Sequence, residues 1–430
     1  MGTSALTLRA SLRTECILAR TLREMDSWRD VSIWQSLCDE NVAGAPLLRV
    51  LEAESEFTPA LIARLRRQFD ASRISAAIEL IQARRRAVGK LDFAARCNAD
   101  CGGVEMASSS RCALWKAERF RDARLRHLPI LDLCSGMGSD LKSLVDLCGE
   151  ARVLGVEHDP LRAWMARGNA RTRVREADVA SQEIQSMLSD SLVHCDPPRR
   201  DQSGRVWKRG AQTSDEFELA SLLGWMRRSS GGALKLGPGI ARELVRADDV
   251  ECEFVEVHGT MEQCVVWTGA LATHAGVMRA TRLGRESHSR VGSPRAVPQA
   301  EALSAFVFEP CAAIERAGLL GDLAEELRAG EIAHGLGLLT AAQACESPWA
   351  ECFEMVGAIA RSPQEAVAKR SAESAQEEFR SVRVRGKALD AFGGVDRVTK
   401  SLACESDGTL VLHAWRSGAK SACVVTRIVG

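Results

Sequence analysis

Tyrosine is missing from all 430 residues, so any aromatic surface has to be built from the 9 tryptophans and 11 phenylalanines. Neither sign of charge is in excess: 57 basic and 57 acidic residues leave a formal net charge of zero. A grip on a polyanion would therefore come from local basic patches. No apolar run approaches the ~20 residues that cross a bilayer. The opening MGTSALTLRASLRTEC carries arginines where a secretory leader needs an apolar core. A soluble, cytoplasmic protein with no membrane partner is expected. The 15 cysteines are dispersed. The nearest two, Cys97 and Cys101, have no second pair or histidine cluster to complete a zinc site, so no metal is expected and the thiols read as reduced and buried. A nicotinamide-binding G-x-G-x-x-G fails at Leu141, and no G-K-[ST] ending supports a triphosphate-binding loop.

What is present is an ordinary globular composition, 46% apolar and 27% charged, in a chain long enough for two or three domains. Residues 1–125 read as a helical N-terminal region. RTLREMDSWRDVSIWQSLCDE and TPALIARLRRQFDASRISAAIELIQARRRA space their apolar residues by three and four. NADCGGVEMASSS looks like a looser stretch before a further helix. From Pro129 the period changes. PILDLC, ARVLGVEH, SLVHCD and GGALKLGP are short apolar runs separated by helix-length segments, which predicts parallel strands covered by helices over 126–286. VECEFVEV and TMEQCVVWTGAL, joined at His258 and Gly259, predict a closing antiparallel hairpin. SHSRVGSPRAVPQ reads as a polar linker. Residues 300–430 follow as a helical segment, ALSAFVFEPCAAIERAGLLGDLAEELRAG, and a small α+β module whose strands are FRSVRVRG, GTLVLHAWRS and KSACVVTRIV.

LPILDLCSGMGSDLKSL holds the first chemical signal. Asp132 ends a strand, and Gly136 and Gly138 form the turn into a helix, where backbone amides and the helix terminus can receive a ligand. Many strand-to-helix turns need glycine for geometry alone. Glu157 then closes the second strand, where a carboxylate can hold a ribose diol, and Asp178 follows the third, where it can accept from an adenine amino group. HCDPPRR places Asp196 at the end of the fourth strand, on the edge where open α/β sheets bind ligands. Each carboxylate alone would pass for a solvated strand end; their shared register argues otherwise.

DLCSGMG, VEHD, READV and CDPPRR, in that order and spacing, resemble the motifs of class I S-adenosylmethionine-dependent methyltransferases. More narrowly, the DPPRR loop, KLGPG, VHGTMEQCVVWTGAL, FEPCAAIERAGLLGDLA and GTLVLHAWRSGAKSACVVTRI resemble the bacterial methyltransferases with a C-terminal THUMP-like domain. The resemblance covers about residue 90 to the end. It implies a Rossmann-like seven-stranded sheet with a terminal antiparallel hairpin, and S-adenosyl-L-methionine as cofactor. It also implies that the turn from Asp132 and Cys134 through Ser135, Gly136 and Gly138 embraces the methionine moiety. Glu157, flanked by His158, would hold the ribose, and Asp178 and Val179 the adenine. Asp196, Pro197 and Pro198 would line the point of methyl transfer, with Asp196 also among the cofactor contacts. Cys134 stands where the family turn has its first glycine, and Ser135 and Ser139 where the narrower family has Cys and Gly.

Methyl transfer from a sulfonium is a direct displacement, so alignment is the enzyme's main task. The residue after the two prolines is Arg199, not the aromatic residue of enzymes that methylate amino groups of bases. KLGPG also lacks the cysteine that a pyrimidine-C5 mechanism needs. RNA (tRNA or rRNA) is the expected acceptor for two reasons. Arg199, Arg200, Arg205, Lys208 and Arg209 surround Trp207 in the loop after the fourth strand, a composition suited to phosphates and stacked bases. Similarity to THUMP domains further points to Arg383, Arg385 and Lys387 as RNA contacts. Methylation of a small molecule or protein, or a non-catalytic RNA-binding protein with a degenerate cofactor fold, are the alternatives.

Overall fold

The computed structural model describes residues 27–38, 45–197, 215–373, 378–386, 408–417 and 420–429. The chain divides into two compact units, Met1–Lys235 with Thr268–Leu271, and Leu236–Trp267 with Ala272–Gly430. No helix among the described residues is long and apolar enough to cross a membrane. No group of three or more His, Cys, Asp or Glu residues there could hold a metal ion.

The first unit opens with helices α1 (Val31–Cys38), α2 (Ala45–Glu52), α3 (Pro59–Leu65) and α4 (Ala71–Ala87). Their starts follow from sequence: Thr58 and Asp70 cap α3 and α4 by accepting from backbone amides three residues on, each cap contributing ~1 kcal/mol. Trp34, Leu37, Leu47, Leu51, Leu80 and Ile81 bury their apolar faces together. Met137, Leu161 and Met165 of the glycine turn and its neighbouring helix join the same cluster. The N-terminal helices are therefore part of the wall behind the turn. NADCGGVEM, expected to be loose, instead forms α5 (Cys101–Met106), because Asp100 caps it through Gly103 N at 2.6 Å. Helix α6 (Ser110–Asp122) follows, capped by Ser109.

The parallel sheet of this unit takes the order β3-β2-β1-β4-β5, from β1 (Ile130–Leu133), β2 (Val153–Glu157), β3 (Val174–Glu176), β4 (Leu192–Cys195) and β5 (Gly231–Leu236). Helices α7 (Ser139–Cys148) and α8 (Pro160–Ala170) make the first crossovers, and α9 (Gln182–Ser186) and α10 (Asp215–Arg228) the next. The closing residues of β7 (Thr260–Gly269) belong to this unit, and Gly232 N donates to Thr268 Oγ1 at 3.1 Å.

In the second unit β7 neighbours β6 (Val250–Val257), with His258 and Gly259 between them at φ 47° and 80°. Two positive φ angles make the tight turn that joins antiparallel strands. β6 pairs in parallel with β8 (Met278–Leu283), and β8 antiparallel with β9 (Ser287–Gly292). The seven expected strands are thus followed by two more. SHSRVG is an edge strand, not a linker, and its polar residues suit a strand whose positions alternate between exposed and half-buried. FVFEP, read as helical, is β10 (Phe306–Pro310) of a separate sheet that also holds β11 (Gly330–Glu331), β12 (Leu339–Ala341), β13 (Ala350–Met355), β14 (Phe379–Gly386), β15 (Leu410–Ser417) and β16 (Lys420–Ile428). Its order is β11-β12-β10-β13-β16-β15-β14, with β14 parallel to β15. Helices α11 (Ala312–Ala317), α12 (Leu320–Glu326) and α13 (Pro363–Glu373) accompany it.

His413 of β15 is fully buried, and neither ring nitrogen has a hydrogen-bond partner among the described residues. Its ring meets Phe353 edge-on at 4.6 Å. Burial, then the nearby Arg383 and Arg385, push its pKa down to about 3. The unfolded chain therefore binds a proton that the folded chain refuses, and stability falls as pH drops below about 6.5. Between pH 6.5 and 5, wild type should lose ~1.6 kcal/mol in all relative to His413→Leu, with the slope steepening as the unfolded histidine becomes fully protonated. Denaturant melts of both proteins across that window check this.

Candidate active site

The carboxyl ends of β1, β2 and β4 open into a cavity of about 410 Å³. Asp132, Cys134, Ser135 and Gly136 line it from the first turn, and Glu157 and His158 from the second. Asp178 and Val179 line it after β3, and Asp196 and Pro197 after β4. One space therefore gathers these sequence-predicted residues. Gly138 stays out of the lining and shapes it from behind. At φ 88°, a Cβ there would stand 2.8 Å from the Ala166 Cα of α8. Gly136, at φ 56°, has nothing within 4 Å of where a Cβ would be, so the approach to its backbone is open. Cys134 adopts φ 59°, a left-handed conformation that costs a side-chain-bearing residue roughly 1–2 kcal/mol. Pro198, Arg199, Arg200, Arg205, Trp207, Lys208, Arg209 and Lys387 lie outside the described residues.

Glu157 is more occupied than a free diol acceptor. Its Oε2 accepts from Gly136 N at 2.8 Å, and Oε1 accepts from His158 N and Asp159 N at 3.0 Å each. Both acceptor positions of Oε1 are filled, and Oε2 keeps one for a ligand. His158 itself projects into solvent, with its side chain 79% exposed. Asp178 Oδ1 accepts from Ala180 N at 2.9 Å. The Asn169 side chain ties the site together, accepting from Asn98 N and donating to the Asn98 and Met137 carbonyls, all at 2.8 Å. Through it the segment leading into α5 is fixed to the glycine turn, and Gly103, Met106 and Ala107 line the cavity.

Beneath the cavity runs a line of buried charges. Asp132 and His194 face each other across the β1–β4 register, and Asp132 Oδ1 lies 2.6 Å from His194 Nδ1. His194 Nε2 lies 3.2 Å from Lys116 Nζ. An ammonium can only donate, so Nε2 accepts and Nδ1–H donates to Asp132. Lys116 also pairs with Asp140 Oδ1 at 2.7 Å and donates to Ser108 Oγ at 3.1 Å. Ser108 in turn donates to Asp140 Oδ2 at 2.8 Å. Burial opposes charge on both members of the Lys116–Asp140 pair, but each outweighs it for the other. The lysine is raised, and the carboxyl is held well below the usual range by the Lys116 ammonium, with Lys235 adding to it. Asp132 Oδ2 is buried without a hydrogen-bond partner among the described residues. On β5, Lys235 donates to Asp196 Oδ2 at 2.6 Å and to the Met106 carbonyl at 3.1 Å.

Lys116, Asp140, His194 and Lys235 were not singled out from sequence. For two of them a signal existed: His194 stands two residues before Asp196, so strand alternation turns both to one face. Lys235 is a charge inside an otherwise apolar strand. Arg383 and Arg385, expected to be free for RNA, are engaged by carboxylates. Arg383 pairs with Glu309 at 3.2 Å and Glu351 at 3.1 Å, and Arg385 with Glu315 at 2.6 Å and Glu309 at 3.0 Å. β10, β13 and α11 bring those acids to β14, which sequence spacing does not reveal.

This is the class I S-adenosylmethionine-dependent methyltransferase fold. A crystal structure of a candidate methyltransferase from Porphyromonas gingivalis W83 aligns with 90% of this chain and 98% of its own, at a TM-score of 0.68 and 18% identity. Two uncharacterized S-adenosylmethionine-dependent methyltransferases of Mycobacterium tuberculosis, from strains CDC 1551 / Oshkosh and ATCC 25618 / H37Rv, are each 28% identical over 208 residues. That match takes in 47% of this chain and 55% of each relative, so the chain spans about half the length of the curated relatives it matches. No protein-family model matches the chain.

Lys116→Met leaves the buried Asp140 carboxylate without its cation. Removing one partner of a buried pair costs about 3–5 kcal/mol, whereas an apolar replacement of both is close to neutral. Denaturant midpoints should fall sharply for Lys116→Met and recover by more than half in Lys116→Met/Asp140→Leu.

Proposed function

We propose that the chain is an S-adenosyl-L-methionine-dependent methyltransferase that passes the methyl group directly to RNA bound beside the Asp196–Pro197 loop. The observation that carries this reading is the orphaned, buried Asp132 Oδ2 at the cavity floor. A buried carboxylate oxygen demands a donor, and a charge-assisted bond to it is worth ~1.5–3 kcal/mol. Among the described residues, Asp132, Asp140, Glu157, Asp159, Asp178 and Asp196 line the cavity, against the Arg162 guanidinium in the same lining and the ammonium groups of Lys116 and Lys235 beneath it. A cavity with surplus negative charge suits a ligand carrying both an ammonium and a sulfonium. Gly136 leaves its backbone open to that ligand, and Glu157 Oε2 keeps one acceptor position for a hydroxyl.

When bound, the cofactor supplies an already activated methyl group. The protein's own residues then have positioning work to do, which is worth up to ~7–11 kcal/mol of a barrier. Asp132 and Glu157 orient from the first two strands. Asp178 and Val179 are assigned to the adenine. Asp196 is assigned to the acceptor, as a hydrogen-bond or proton acceptor. Arg199, Arg200, Arg205, Lys208 and Arg209 with Trp207 are assigned to RNA on their composition, with Lys387 as a further contact. Arg383 and Arg385 would have to leave their carboxylate partners to serve.

Calorimetry should find micromolar affinity for S-adenosyl-L-methionine, weakened about 10- to 100-fold in Asp132→Asn, the equivalent of the lost charge-assisted bond. Tritium from the methyl-labelled cofactor should enter cellular RNA, become soluble on nuclease but not protease digestion, and be lost with Asp196→Ala. Absence of binding at millimolar cofactor would refute the reading.

A further inference from the structure

Lys235 occupies a place where a doubly wound sheet ordinarily carries an aliphatic side chain. β5 is buried along its whole length, and Lys235 is 2% exposed among Ala233, Leu234 and Leu236. An ammonium withdrawn from water is tolerated only when it is fully engaged. It has three donors, and two meet groups that form the cavity. One goes to Asp196 Oδ2 and the other to the carbonyl of Met106, the last residue of α5. The β4–β5 register pairs Cys195 with Leu234, so Asp196 arrives beside Lys235 at the next step along the strands. Asp196 keeps its Oδ1 without a hydrogen bond from the described residues, and its side chain remains 22% exposed.

We propose that Lys235 is a positioning residue for methyl transfer: it clamps Asp196 by one oxygen, leaves the other to the acceptor, and fixes the α5 wall at Met106 against the same point. The inference rests on the methyltransferase reading. It gives the two buried lysines different hydrogen-bonded chains, although the charge of Lys116 is also felt by Asp196 and that of Lys235 by Asp140. Lys116 supports Asp132 through His194, on the cofactor side. Lys235 supports Asp196, on the acceptor side. A misplacement of about 1 Å in such a group costs on the order of 100-fold in rate, while a cofactor held by other residues should not notice it.

The test uses the full chain with two readouts. S-adenosyl-L-homocysteine affinity is measured by calorimetry, and methyl transfer by tritium incorporation into an extract of cells lacking the protein, whatever the acceptor. Lys235→Met should bind the product within about threefold of wild type and transfer roughly 100-fold more slowly. Lys235→Arg should regain about tenfold, since a guanidinium still donates to Asp196. Equal transfer by Lys235→Met and wild type overturns the proposal, as does a loss of product affinity in step with the loss of transfer. If Lys235→Met does not fold, Asp196→Asn/Lys235→Met, which leaves no unpaired charge, is compared with Asp196→Asn. Equal residual transfer supports the clamp, and a further fall in the double variant overturns it. Wild type that binds product but labels nothing in the extract overturns the methyltransferase reading itself, and the positioning role with it.

Discussion

Charge buried at the carboxyl edge of a parallel sheet must be answered by charge from somewhere else, and that requirement organises this site. Asp132, Asp140 and Asp196 approach one cavity. Lys116 reaches them from α6 and Lys235 from β5. With His194 between Asp132 and Lys116, the imidazole tautomer is fixed by what surrounds it. Among the described residues the second oxygen of Asp132 is buried without a partner, and a buried carboxylate oxygen gains by acquiring a donor.

Around this polar line the backbone does complementary work. The turn after β1 takes three left-handed residues, Cys134, Gly136 and Gly138. Glycine is required at 138 because α8 comes too near for a side chain, and it is useful at 136 because the space beyond is open. At 134 a cysteine bears the strain, as expected at a functional turn held by its surroundings. Those surroundings include the N-terminal helices, whose buried cluster takes in Met137 behind the turn and Leu161 and Met165 of α8. Asn169 makes the remaining link, joining the segment before α5 to the turn.

Much of the fold could be read directly. The change from helical to strand period at Pro129, the glycine turn, and the carboxylates closing successive strands all follow from local pattern. NADCGGVEM was misread because its two glycines suggested a loop; the Asp100 cap and the fit beside the glycine turn override their weak helix preference. SHSRVG was misread because an exposed edge strand has no apolar alternation to betray it. FVFEP was misread because a short apolar run is ambiguous until its partners, β12 and β13, are known.

By itself the sequence determined which residues end the strands, since period and turn chemistry are local properties of the chain. It also carried the turn from Asp132 to Gly138 and the positions of Glu157, Asp178 and Asp196. Only the tertiary structure decided which of those groups are already spoken for. Glu157 is largely satisfied by backbone amides, Asp196 is held by Lys235, and Arg383 and Arg385 are taken up by glutamates. Apart from the amides of His158 and Asp159, these partners stand 21 or more positions apart along the chain, and hydrogen bonding and charge pairing over such separations are not recorded by local spacing.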